Sequence, residues 1–427
     1  MSTSKYFNIA KNELFPICRS ITGEGTLKTL KIIKKQFPSL KILSVKSGDK
    51  YFDWKIPLQW DIQDGFVLDS KKKKIIDFKK NNLHVVNYSS PVNKKIFLNE
   101  LLTRIHTIKK NQNAIPYHTS YYKKYWGFCT THTQKENIKK TYKKNDSFHV
   151  VIKSKLKKGF LNYGELLIKG KSKQEILIST YICHPSMANN ELSGPIVSMS
   201  LINFFLKKKL DKSIRFIFIP ETIGAIVFLK KNLKHLKENL IGGYNLTCIG
   251  DDRMHSCMLT KYGKSLSDSS LLEAYKKLKI KFKIFSFLKR GSDERQYNSP
   301  GIDLPIAAIF RTKYGEYPEY HTSLDDFSVI SKKGIKGGFS VAKTAMQILL
   351  NKKIPKNNFL CEPFMSKKNL YPKFSADKKS FFISDIMNFL VYSDGSNDLN
   401  SISKYLGKSI KETNKIYNFL LKKKLIR

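Results

Sequence analysis

From about residue 126 onward, apolar and polar positions alternate in blocks. The runs "EILISTYI" (175–182), "SIRFIFIP" (213–220), "NLTCIG" (245–250) and "LPIAAIF" (304–310) are almost wholly apolar. That is the pattern of strands covered on both faces. Between them, "GPIVSMSLINFFLKK" (194–208), "GAIVFLKKNLKHLKENL" (224–240) and "SLLEAYKKL" (270–278) read as helices, and "FSVAKTAMQILL" (339–350) closes the unit as another. Strands alternating with helices predict an α/β fold whose sheet carries helices on both faces.

The flanks have other textures. Residues 1 to about 45 show helical i, i+3, i+4 spacing. From about 48 to 125, short strand-like pieces are broken by Pro, Gly, Asp and Asn, which predicts a mostly-β unit nested in the α/β chain. After about 360, "FFISDIMNFLVY" (381–392), "LNSISKYLG" and "SIKETNKIYNFLLKKKLI" read as helix, helix, Gly-containing turn, helix and short strand. This is a winged helix-turn-helix layout. The predicted division is 1–47 with 124–355 as a discontinuous α/β domain, 48–123 as the nested mostly-β domain, and 360–427 as the winged helix-turn-helix domain.

Composition adjusts this picture in three places. No apolar run reaches the ~18 residues that span a bilayer, and the N-terminal stretch lacks the apolar core of a signal peptide, so no membrane partner is expected and a cytoplasmic location is. The six cysteines form no Cys-x-x-Cys pair, and several fall in apolar runs, so buried reduced thiols are expected. The formal charge is +44, with 78 Lys and Arg. Arginine, however, stands at only eight positions (19, 104, 215, 253, 290, 295, 311, 427). Base and phosphate recognition leans on Arg, so the scattered lysines read as a solvated surface ahead of a polyanion-binding one. With no Arg in its second helix, the tail reads as a protein-docking module ahead of a DNA-binding one.

In an open α/β sheet, ligands bind beyond the carboxyl ends of the strands. The strand ending at Ile182 delivers Cys183 and His184, then Asn189, Asn190 and Glu191. The strand ending at Pro220 delivers Glu221 and Thr222, and the one ending at Gly250 delivers Asp251 and Asp252. The strand ending at Phe310 leads to His321, Asp325 and Asp326, and "RGSDERQYNSPGID" contributes Asp293, Glu294, Arg295 and Gln296. Each group alone has a plain reading as a cap or a turn. Four strand ends offering N and O ligands together predict a site for a borderline ion such as zinc. A nearby glutamate is suited to deprotonate a bound water. Arg295, with Tyr317 or Tyr320, offers contacts to a substrate carboxylate or sugar hydroxyl, or a structural role. The nested unit reads as a lid or a dimer surface ahead of a substrate grip. Trp54 and Trp60 read as core, and His118 as structural or cleft-facing.

The order His, Asn-Glu-x-Ser-Gly, Glu-Thr, Asp, Ser-Asp, Tyr-His-Thr resembles the zinc exopeptidases of the bacterial leucyl-aminopeptidase type over about 160–350. "WGFC", "YGE", "ISTYICHPS", "NNELSGP" and "GSDERQYNSPGIDLP" resemble, more narrowly, the bacterial aminopeptidase-like proteins of surface-polysaccharide clusters. The resemblance implies a zinc-exopeptidase-like (phosphorylase/hydrolase-like) mixed sheet. It further implies His184 as first zinc ligand, Asn190 in place of a bridging aspartate, and Glu221 as general base. Thr222 stands where a second-zinc glutamate is expected, Asp251 (or Asp252) matches a further ligand, and His321 matches the last histidine. Two lost acids imply one zinc per chain, held by His184, Asp251 and His321. Asp293, Arg295, Gln296, Tyr317 and Tyr320 are left to the substrate. The activity expected is hydrolysis of an amide in a small peptide, aminoacyl or N-acyl-sugar substrate, linked to surface polysaccharide. The competing expectation is a non-catalytic ligand-binding or docking protein on a degenerate peptidase domain. Homo-oligomer formation is left open.

Overall fold

The apolar runs become the centre of one large sheet. The computed structural model describes residues 2–368, 370 and 380–427. Eight strands form the sheet: β1 (Lys41–Lys46), β2 (Phe160–Ile168), β3 (Glu175–Tyr181), β4 (Ser213–Ile219), β5 (Leu240–Leu246), β6 (Ser256–Met258), β7 (Lys283–Phe285) and β8 (Ile306–Phe310). Their order is β1-β2-β4-β3-β5-β8-β6-β7. β4, β3, β5 and β8 run parallel, whereas β1, β2 and β6 pair antiparallel to their inner neighbours.

All seven residues of β3 and of β4 are buried, because both faces are covered. Ile176, Ile178, Phe216 and Phe218 pack with α1 (Glu24–Gln36), α2 (Ser193–Phe205), α4 (Leu266–Lys277) and α5 (Lys332–Asn351) on one side. Leu177, Ile217 and Ile219 pack with α3 (Ile223–Asn239) on the other. Ser265 and Asp268 form a reciprocal capping box that starts α4.

The expected strand at 245–250 is displaced to Leu240–Leu246. The glycine pair that looked like a break lies inside it. A Cβ at Gly243 would stand 2.0 Å from the Leu177 carbonyl and one at Gly242 2.3 Å from Ser267 Oγ, so glycine is what lets β5 lie this close to its neighbours. The N-terminal region is not one helical stretch. Helix gives way after Leu14, resumes at Glu24 as α1, and is followed by β1. Gly23 ends the break at φ 99°, where a Cβ would stand 2.1 Å from the Trp60 carbonyl oxygen.

The small sheet is four-stranded and antiparallel, in the order Lys74–Asp77, Gln59–Leu68, Ser147–Lys157, Val92–Phe97. One of its two inner strands, Ser147–Lys157, comes from beyond residue 123. Its alternating burial shows one face on the nested core and one outward. Segment 115–123 returns from this unit across the ends of the large-sheet strands, pinned by the Tyr117 N–H on the His321 carbonyl (2.8 Å).

The C-terminal unit comprises α6 (Ser380–Val391), α7 (Leu399–Tyr405) and α8 (Ile410–Lys422). Asn357 pairs with Ile426 as a short antiparallel bridge. Ile386, Phe389, Ile402 and Leu420 form its own core. Residue 369 and residues 371–379 of this tail lie outside the described residues. Among the described residues, all six cysteines are free thiols, and no helix is long and apolar enough to cross a membrane.

Candidate active site

Two hollows compete for attention. The larger, about 1100 Å³, lies at the amino ends of the strands, against Gln174, Lys212, Leu240 and Pro305. The smaller, about 370 Å³, lies at their carboxyl ends and is walled by His184, Glu221, Thr222, Arg295 and His321. The second is where parallel α/β sheets bind ligands.

His184 follows β3 directly and is 5% exposed. Its Nδ1 is 2.8 Å from Glu191 Oε2. An ionised carboxylate only accepts, so Nδ1 carries the proton and Nε2 is turned to the cleft. Glu191 comes from the π-helical turn Ala188–Leu192 that leads into α2. Behind it lies Arg19, whose Nε is 2.8 Å from the His184 carbonyl and 3.4 Å from Glu191 Oε1, both side chains fully buried. Burial opposes a charge on His184, but Cys183 and Glu191 override it and raise its pKa well above the usual histidine value.

His321 stands across from it, with ring centroids 5.2 Å apart. Its Nε2 is buried and has no partner. Burial, then the neighbouring His184, lowers its pKa to about 3, so it is a neutral imidazole. Tyr117 of the returning segment meets both rings edge-on, at 5.1 and 5.2 Å, and Tyr320 stacks on His321 at 3.9 Å.

Glu221 Oε2 lies 3.7 Å from His184 Nε2. Burial raises its pKa, and His184 pulls the other way. Thr222 has φ 65° and His321 φ 56°. Two non-glycine residues in left-handed conformations on one wall mark a place where local strain is tolerated. Asp293 Oδ1 accepts the Thr222 N–H at 2.7 Å, and burial, then Glu221, raises the Asp293 pKa well above the usual carboxylate value. Arg295 Nη2 donates to Thr222 Oγ1 at 2.6 Å.

The remaining expected site residues fall elsewhere. Asp251 does not line the cleft. Its Oδ1 accepts from Thr312 Oγ1 (2.6 Å) and the Arg253 N–H (2.9 Å), and its Oδ2 from the Thr312 N–H (2.8 Å) and Asn189 Nδ2 (3.2 Å). With both oxygens engaged by donors, it holds no free face for a cation in this arrangement. Asp252 is exposed and bonded to Ser331. Tyr317 donates to Asp325 at 3.0 Å, and Gln296 is not on the cleft wall. Asn190 Nδ2 donates to the Tyr181 hydroxyl (2.7 Å), and its buried Oδ1 has no partner. His118 is exposed and stacks on His106 at 4.4 Å. Trp60 is core at 2% exposure, whereas Trp54 is 40% exposed at the cleft mouth.

Cys183, His184 and Glu191 bring ligand atoms within 4.8 Å of one another. That trio shares Glu191 with the Arg19 guanidinium, and a dication there would face a buried cation. The open side of His184, toward the His321 ring, is the better fit. Unpartnered buried polar atoms are rare, and the neutral His321 imidazole with His184, once its Nε2 proton is displaced, suits a borderline ion. The reading of the chain placed Glu191 at the strand end without giving it a role, and missed Arg19, Tyr117 and Tyr121 as residues of the site. Glu191 was visible in "NNELSG", and Arg19 was visible as one of few arginines in a lysine-rich chain.

Residues 7–352 match the family model described as domain of unknown function DUF4910, and residues 353–427 match a winged helix-turn-helix model. A Clostridium acetobutylicum protein, named for polysaccharide biosynthesis and an aminopeptidase-like domain, is 41% identical over 92% of this chain and 89% of its own. A solved structure from Clostridium acetobutylicum, described as a peptidase, is 38% identical with a TM-score of 0.79, covering 100% of this chain and 96% of that one. The zinc aminopeptidase BSAP of Bacillus subtilis shares the fold at 14% identity and a TM-score of 0.61, covering 82% and 95%. The chain therefore belongs to the DUF4910 family, an aminopeptidase-like α/β domain followed by a winged helix-turn-helix.

Proposed function

We propose that this chain is a zinc-dependent hydrolase of an amide bond in a small peptide, aminoacyl or N-acyl-sugar substrate. The observation that carries the reading is the convergence of His184 Nε2, the unpartnered His321 Nε2 and Glu221 on one cleft, with the His184 tautomer set by Glu191 behind it. His184 and His321 would hold the ion, with Asn190 Oδ1 the next candidate donor. When bound, zinc would bring the pKa of a water toward ~7 and polarise the carbonyl. Glu221 takes the proton of the attacking water and returns it to the leaving nitrogen. Burial raises its pKa, the direction that a carboxylate accepting and returning a proton requires. Tyr117, whose hydroxyl is 2.8 Å from that of Tyr121, covers both rings. The name of the Clostridium relative supports a place in surface-polysaccharide synthesis.

The test is metal content and turnover. About one zinc per chain is expected, lost in His184→Ala. Glu221→Gln should keep the metal and lower turnover by roughly 10²–10⁴-fold, the weight of a general base; equal turnover would refute the assignment. The second reading, a ligand-binding protein that signals through its tail, draws support from Asn190 and Thr222, which are neutral where the family resemblance implies acids. Sequence-specific, salt-sensitive DNA binding by a zinc-free chain would favour it.

A further inference from the structure

We propose that the cleft receives a small ligand bearing a carboxylate, seated on Arg295 opposite an aromatic wall from the nested domain, and not a peptide anchored by a free α-amine. Four of the eight arginines are committed to carboxylates: Arg19 to Glu191, Arg215 to Glu165 and Glu175, Arg253 to Glu319, and Arg311 to Asp252. Arg295 differs. It lines the cleft, makes one side-chain hydrogen bond, to the neutral hydroxyl of Thr222, and leaves a buried Nε with no partner. Among the described residues it forms no ion pair.

A guanidinium offers five donors in a planar fork matched to a carboxylate. One that is half-buried with donors unmet is set up to take an anion. The walls lack the opposite feature. Glu221 is the one carboxylate among the residues lining the cleft, and it neighbours His184. Glu191 is turned to His184 and Asp293 Oδ1 to the Thr222 N–H, and Asp293 Oδ2, although without a partner, is buried in a residue that does not line the cleft. Among the lining residues, no acid besides Glu221 is present to hold an ammonium. Facing this wall, Trp54 and Tyr122 meet edge-on at 6.2 Å and stay 40% and 52% exposed, a surface suited to the flat side of a ring or an acyl chain. The inference rests on the hydrolase reading only for the position of the amide, between Arg295 and Glu221.

Binding separates the two ideas. Full-length Glu221→Gln protein is titrated with N-acetylglycine, which has a carboxylate and no amine, and with glycinamide, the reverse, followed by ligand-detected NMR. N-acetylglycine should bind at least tenfold more tightly. Arg295→Gln should weaken it roughly ten- to hundredfold, the loss of a charge-assisted contact, with Arg295→Lys between. In the unaltered chain, N-acetylglycine should slow phenylglyoxal modification of Arg295, read by peptide mass, which needs no variant to fold. Preference for glycinamide, equal affinity in Arg295→Gln, or no protection of Arg295 would overturn the proposal. Carboxylate binding that persists in a protein without zinc or turnover would instead sink the hydrolase reading alone.

Discussion

Two clusters of polar side chains lie a few residues apart at the same end of the sheet, and they are built on opposite terms. In the first, Asp251 and Asp325 have every oxygen engaged. Asp251 takes two bonds from Thr312 and one each from Arg253 and Asn189, and Asp325 takes the Asn189 and Asn190 N–H groups and the Tyr317 hydroxyl. In the second, around His184, buried atoms go without: His321 Nε2, Asn190 Oδ1 and Arg295 Nε. The adjacent residues Asn189 and Asn190 divide between them, since Asn189 Oδ1 accepts the Gly250 N–H at 3.0 Å. Full satisfaction is what a fold needs of buried acids. Shortfall on one wall is what a site awaiting a ligand shows.

The largest effect should come from the charge behind His184. Arg19 is wholly buried against Glu191. Arg19→Met leaves that carboxylate without its cation, at a cost of about 3–5 kcal/mol. Denaturant unfolding measures it, and Arg19→Met with Glu191→Met should recover much of the loss. An Arg19→Met protein as stable as the parent would mean that this pair does not hold the back of the cleft together.

Asp251→Ala comes next. Removing the carboxylate strands the Thr312, Arg253 and Asn189 donors in a buried place, at about 2–3 kcal/mol. The zinc content should stay that of the parent, measured by elemental analysis at a temperature where both are folded. Loss of zinc with Asp251 would erase the contrast between the clusters and restore the ligand set of His184, Asp251 and His321 that the family resemblance implies.

The contrast also explains what could be seen in the sequence. β3 and β4 were legible because burial on both faces leaves an uninterrupted apolar run, and His184 and Glu221 were legible because they follow those runs directly. The start of β5 was hidden by Gly242 and Gly243, which looked like punctuation and serve close packing. Segment 115–123 was hidden for a different reason. Its aromatic residues meet the histidines through a return of the chain across some 65 or more positions, and no local pattern encodes that. Asp251 illustrates a third kind of gap. Its place after a strand is a sequence property, but whether its oxygens face an ion or the donors of Thr312 is decided by β8 and the loop after it.

The smallest expected effect probes the first cluster from its edge. His255 lies beside Arg311, whose Nη1 contacts its Nε2, and burial, then Arg311, lowers its pKa to about 4. The unfolded chain therefore takes up this proton first as pH falls. The contribution of His255 is complete above pH ~6.5 and drains away between there and pH ~4. The ring is partly exposed, so solvent screening trims the effect to about 1 kcal/mol between pH 7 and 5. His255→Gln should flatten the fall in unfolding free energy by that amount, equally with and without added zinc, because the residue does not line the cleft. A slope that changed only in the zinc-loaded protein would tie His255 to the cleft and blur the division between the two clusters.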